Sequence, residues 1–297
     1  MNFEKIVPKV LDPSNCKDLQ FYGLLGDYVG GFWGTIVGVL TLLIVLFTWR
    51  QTRNSDYRAK IYQIFSEMLR THEEIVSSMQ LNDFDGRDVV SVFLSEFYAI
   101  YKVVKKLSDE NKVWTLDEQI DISYSYTIFG PHIVTENVLK GYNQEKIKFL
   151  SGLILKMRQD NEDPKKSYSG HQNRFSHYFR NLYAAYEFIE SSSLTKKEKL
   201  SLAKVLRSKL SNYEQALLAL NVISHFGQEW ERTGLFHRYK PIKNIPELFF
   251  TFDSNFKLSQ RFPYIDFEYE GSQKVSTKVW SFSLYGNRLS LVRNVKK

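Results

Sequence analysis

Between Gly170 and Phe188 the chain reads GHQNRFSHYFRNLYAAYEF, with two histidines, two arginines and six aromatic residues in nineteen positions. Imidazole and guanidinium groups at this density could relay a proton, bind an anion or hold a metal. Helical spacing separates the residue types. Phe175, Tyr178, Phe179, Leu182, Tyr186 and Ile189 share one face, while Asn173, His177 and Arg180 stack along another with Arg174 at its border.

The following stretch offers a second polar stripe. Read as one long helix from Thr195 to about Phe226, it carries Arg207, Ser211, Glu214, Leu218, Asn221 and His225 along one ridge. Leu206, Leu210, Tyr213, Leu217 and Leu220 flank that ridge. Two long helices with a short connection pack antiparallel, which would turn His177 and Arg180 towards Arg207 and Glu214. Two chemistries are open. One is a buried site in which Glu214 pairs with an arginine and His177 or His225 donates a proton or a ligand. The other is a seam of mutually satisfied groups that holds two helices in register, and this is the preferred reading.

Other catalytic devices are sparse. No G-x-x-x-x-G-K-[ST] loop, no G-x-G-x-x-G turn and no H-E-x-x-H pair occurs. His72, within Thr71-His72-Glu73-Glu74, reads as a solvated group on a helix surface. In Ser176-His177 and Ser224-His225 the neighbours diverge by about 100° on a helix, so neither is a nucleophile with its base. Arg232-Thr-Gly-Leu-Phe-His237 has the R-x4-6-H spacing of the helical ribonucleases called HEPN, which makes Arg232 and His237 a candidate catalytic pair. Fourteen arginines and six histidines would produce that spacing about once by chance. Gly234 also weakens the helix that would present both side chains. Cys16 is the single cysteine, which excludes an intrachain disulfide and any zinc site built on several thiolates. No cofactor and no metal is expected.

The elements that must carry these residues begin with Val29 to Trp49, VGGFWGTIVGVLTLLIVLFTW, a run without a charged residue. At about 1.5 Å per residue it covers the roughly 30 Å of a bilayer core. A signal peptide would have its apolar region nearer the N-terminus and end in a small-residue cleavage site, whereas this run ends on Trp49-Arg50. Arg50, Arg53, Arg58 and Lys60 crowd its C-terminal flank, and Lys17 on the other side is accompanied by Asp18 and Asp27. The positive-inside rule therefore places the N-terminus outside and the rest in the cytoplasm of a single-pass protein. Gly30, Gly34 and Gly38, at i, i+4 spacing, permit close helix contact, so a homo-oligomer in the membrane is expected.

Apolar residues make up 43% of the 297 and aromatics 15%, enough for a sizeable core. The net charge of +7 is spread in short clusters, which gives a nucleic-acid partner little support. Helical periodicity covers about 56–79, 87–107, 115–129, 144–157 and 228–239. Thr115/Glu118 and Thr195/Glu198 have capping-box spacing, and residues 159–170 form a polar loop. Ile265, Phe267, Tyr269, Val275, Thr277 and Val279 alternate around Gly271-Ser272 and predict a β-hairpin. The expected fold is mainly α: an N-terminal transmembrane helix, a cytoplasmic helical-bundle domain and a small C-terminal β-hairpin. The expected boundaries are 1–27 outside the membrane, 28–50 within it, 51–80 juxtamembrane, 81–250 helical domain and 251–297 extension.

FYGLLGDYVGGFWGTIVGVLTLL, SHYFRNLYAAYEFIE and KVLRSKLSNYEQALLALNVISHFG occur in this order. They resemble, respectively, the G-D-[FY]-x-G-G lead-in to the spanning helix, the H-Y-F-R-x-L-Y segment and the L-R-x-x-L-S-x-x-E-x-x-L-x-x-x-N-x-x-S segment of bacterial phage abortive infection proteins, the AbiC-like group. The resemblance covers Phe21 to about Arg53 and Gly170 to about Phe250. It implies antiviral defence in which infection arrests or kills the host cell. His177, Tyr178, Phe179, Arg180, Arg207, Ser211, Glu214, Asn221 and Ser224 fall on the family's motif positions. The expectation is a bacterial inner-membrane protein whose helical domain senses or binds a phage protein or a defence partner. The alternative is an anchored HEPN-like ribonuclease.

Overall fold

The computed structural model describes residues 16–111, 113–163, 166–246, 249–267, 280–285 and 288–293. The chain divides into two compact units, Met1–Gln63 and Ile64–Lys297.

Helix α1 (Cys16–Ser77) is continuous over 62 residues. Among the described residues it is the one helix long and apolar enough to cross a membrane. Its Phe32, Leu40, Leu43 and Phe47 are exposed. The hydroxyls of Thr35, Thr41 and Thr48 donate to the carbonyls of Gly31, Val37 and Ile44 at 2.7, 2.8 and 2.8 Å. A helix in hydrocarbon must satisfy its polar groups internally, and these three hydroxyls do so.

The second unit is helical. A two-residue strand pair, β1 (Gln80–Leu81) with β2 (Phe84–Asp85), follows α1, and Gly86 at φ 55 leads into α2 (Asp88–Asn111). Next come α3 (Leu116–Phe129), α4 (Ile133–Val138), α5 (Gln144–Gln159) and α6 (Gln172–Ser191). Then α7 (Lys196–Lys209), α8 (Asn212–Ile223), a 3-10 turn at His225–Gly227, α9 (Gln228–Arg232), α10 (Leu235–Tyr239) and α11 (Leu258–Arg261) complete the helices.

α2 packs on α3, and both pack on α8. α3 is buried from Gln119 to Ile128 and α8 from Glu214 to Ile223, so each is enclosed on every side. Small polar residues are admitted there because they bond to their own helix. Ser123, Ser125 and Thr127 each donate to the carbonyl four residues back at 2.6 to 2.8 Å. Ile100, Val104, Ile122, Tyr126, Ile147 and Leu150 form an apolar cluster of α2, α3 and α5. The core is rich in tyrosine: Tyr124, Tyr126, Tyr178 and Tyr186 are fully buried, and burial pushes their phenols upward in pKa.

Two glycines set how the chain doubles back. Gly170, at φ 92, lies so close to the end of α3 that a Cβ would sit 2.6 Å from the Phe129 carbonyl carbon. The neighbouring His171 N–H donates to Ile128 O at 2.7 Å, which ties the start of α6 to the end of α3. Gly227 has an ordinary φ of −97, but a Cβ there would lie 2.3 Å from Asn221 O. It is required for space, and it folds Phe226 and Trp230 back towards α8.

Three expectations are corrected. The long helix expected from Thr195 to Phe226 is two helices, because Leu210 is extended at ψ 124 and Ser211 caps a new one. Ser211 and Glu214 form a third capping box, with the spacing of Thr115/Glu118 and Thr195/Glu198. The helix expected over 228–239 is interrupted by Gly234 at φ 68. Ile265 and Phe267 are buried in irregular backbone rather than in a strand, and residues 268–279, with the expected hairpin turn, lie outside the described residues. Within the expected 251–297 extension a C-terminal antiparallel pair does occur, but further along, as β3 (Trp280–Tyr285) with β4 (Arg288–Arg293), in addition to the β1/β2 pair.

Candidate functional site

The strongest buried charge is Glu214, third residue of α8 and fully buried. Its Oε2 accepts from Ser211 N at 2.8 Å and from Arg87 Nε at 3.1 Å. Its Oε1 faces His72 Nε2 at 3.6 Å, an electrostatic contact rather than a hydrogen bond. Burial raises the Glu214 pKa, but His72, Ser211 and Arg87 together outweigh it and hold the carboxyl below the ordinary glutamate range. The His72 ring lies 5.0 Å from that of Tyr178. His72, Tyr178 and Glu214 are each at most 1% exposed, so no substrate reaches them. This cluster joins the end of α1, the start of α2 and the start of α8, and its work is structural.

A cleft of about 440 Å³ opens nearby. Tyr124, Ile128 and Phe129 of α3 form one wall, and Phe175, Phe179, Arg180 and Tyr183 of α6 form another. Asn221, Phe226, Glu229 and Trp230 close it. The wall positions on α6 recur at i, i+4 and i+8, one stripe of the helix. Asn221 Nδ2 donates to Tyr124 Oη at 3.0 Å. Arg180 is exposed, and its Nε donates to Ser176 O at 3.0 Å.

Beside Phe226 lies a carboxylate–imidazole pair. Asp121 Oδ1 accepts from His225 Nδ1 at 2.7 Å and from the His225 backbone N–H at 3.0 Å. Its Oδ2 accepts from Tyr142 Oη at 2.7 Å. Burial raises the Asp121 pKa, yet these donors hold it below the ordinary aspartate value. The geometry puts a proton on Nδ1 and leaves Nε2 as the acceptor, in a side chain that is 34% exposed. The His225 ring lies tilted against that of Phe226, with centroids 3.8 Å apart. An imidazole oriented in this way can accept or give a proton at Nε2. A second such pair, His171 Nε2 with Glu96 Oε2 at 3.0 Å, is sealed from solvent.

The expected seam does not assemble. His177 is exposed on α6, Arg180 is at the cleft, and Arg207 donates to Lys240 O at 3.1 Å. The partner of Glu214 is Arg87, not Arg180 or Arg207, because the break at Ser211 turns α8 away from the line of α7. Asn221 and His225 reach α3 instead of α6. His72 is buried, not solvated, because the face of α1 it occupies is covered by Tyr178 and Glu214. Arg232 pairs with Glu229 on its own helix, while His237, in the next, lies tilted against the Tyr264 ring at 4.6 Å. Gly30, Gly34 and Gly38 have open space around them. Asp121, Tyr124, Phe226 and Trp230, which the stripe reading overlooked, are the residues that give the cleft region its chemistry. The run Ser-His-Phe-Gly after a buried helix was their one sequence signal, since Gly227 forces the return of the chain.

The chain is thus a helical protein with, among the described residues, one membrane-length apolar helix, and an aromatic cleft whose α6 and α8 walls come from one continuous segment. Residues 170–250, which hold those walls, match the family model described as "Putative phage abortive infection protein". The resemblance read from the H-Y-F-R and L-R-x-x-L-S segments therefore stands over this stretch, and the match does not extend to Phe21–Arg53. No curated protein and no solved structure matches the chain.

Proposed function

We propose that this chain acts in bacterial anti-phage defence by abortive infection, as a single-pass inner-membrane protein with its N-terminus outside and its helical domain in the cytoplasm. The observation that carries this reading is the family match over 170–250, the segment that lines the cleft with Phe175, Phe179, Arg180, Asn221 and Trp230. The apolar run of α1 and the cations Arg50, Arg53, Arg58 and Lys60 after it support the anchor and its orientation. The helical domain recognises a phage product or a defence partner through the cleft, and the anchor assembles as a homo-oligomer.

The test compares plaque formation and dye uptake in cells carrying the full chain, a chain lacking residues 1–50, and Arg180→Ala. The expected outcome is loss of protection in both variants, with membrane permeabilisation of infected cells only for the full chain. Undiminished protection without residues 1–50 rules out the anchored mechanism, and undiminished protection by Arg180→Ala removes the cleft from it.

A further inference from the structure

We infer that the cleft between α3 and α6 binds a free nucleoside monophosphate, with the base between the aromatic walls and the phosphate on Arg180. The inference rests on the cleft being the recognition site of the protein, and it names the ligand chemistry.

Three observations converge. The volume of about 440 Å³ is that of a small-ligand site, and its walls present the rings of Phe179, Tyr183, Phe226 and Trp230, which favour a planar aromatic guest. Asn221 lines the cleft, is 5% exposed and spends its Nδ2 on Tyr124. The Oδ1 of that amide is an acceptor suited to an exocyclic amine, such as that of adenine or cytosine. Arg180 is engaged only through Nε, so its terminal nitrogens offer a planar fork without a carboxylate partner among the described residues. Such a fork suits a phosphate. Glu229, also at the cleft, is paired with Arg232 and so does not neutralise Arg180. One uncommitted cation fits one phosphate; a di- or triphosphate would need more.

The experiment is calorimetric titration of the full chain in detergent micelles with AMP, adenosine and a short oligoadenylate. AMP should bind about tenfold more tightly than adenosine, the factor expected for one charge-assisted contact worth about 1.4 kcal/mol. Arg180→Ala should remove that factor for AMP and leave adenosine unchanged, and Arg180→Lys should restore part of it. Arg180 is exposed and makes one bond within its own helix, so these variants keep the fold, which a melting curve verifies. Equal affinity for AMP and adenosine, absence of AMP binding, or tighter binding of the oligoadenylate than of AMP overturns the assignment. Binding is read on the purified protein, so a negative titration with intact plaque protection refutes the ligand and spares the defence role.

Discussion

At the scale of single residues, Glu214 shows how one buried carboxylate can tie several elements together. It caps its own helix through Ser211, meets Arg87 and faces His72, all while fully buried. Because Arg87 is 51% exposed, its attraction is screened, and most of the stabilisation comes from the capping bonds. Glu214→Gln should cost about 2 kcal/mol at neutral pH. The pH dependence has a definite sign. A carboxyl whose folded pKa is depressed contributes stability above its unfolded value, about 4.3, and that stability is lost as pH falls through the folded value. Asp121 and Asp253 are depressed as well and act in the same sense. Melting curves from neutral pH down to about pH 3 should therefore fall less steeply for Glu214→Gln than for the unaltered chain. Parallel curves would mean that Glu214 is not the depressed group. The sequence singled out Glu214 by type and spacing, but its partners Arg87 and His72 lie far off along the chain, where no local pattern could show them.

At the scale of elements, the helices end where backbone chemistry stops them. The break between α7 and α8 carries the same Ser/Thr-x-x-Glu signal as two helix starts that were legible, but Ser211 lies inside an apolar period that reads through it. Periodicity and capping disagreed, and the cap prevailed because Leu210 turns the chain out of helix. α4 was not legible, since six residues are too few for a period to show. Gly227 permits a direct test of close approach. Gly227→Ala should lower stability by on the order of 3 kcal/mol, because its methyl would meet the Asn221 and Val222 backbone at 2.3 and 2.5 Å. Gly152→Ala, in α5 with open space around it, should instead stabilise by about 0.5–1 kcal/mol. Denaturant unfolding of both variants reads the contrast, and equal midpoints would contradict the tight return at Gly227.

At the scale of the whole molecule, the helical class and the membrane-length run were legible because each rests on many residues voting together. The cleft was not, because its walls come from helices three, six and eight and meet only in the folded chain. The tyrosine-rich core has an optical consequence. A phenol in water ionises near pH 10, whereas Tyr124, Tyr178 and Tyr186 are held above that by burial, and Tyr168 is pushed up to about 12. A raised folded pKa stabilises below the unfolded value and ceases to do so as pH climbs through the folded one, so alkali must favour opening. The core phenolates should then appear together in the ultraviolet spectrum, in a step rather than a gradual rise. The protein thereby carries an unlabelled absorbance gauge of its own cooperativity, spread over α3, α6 and the turn before α6.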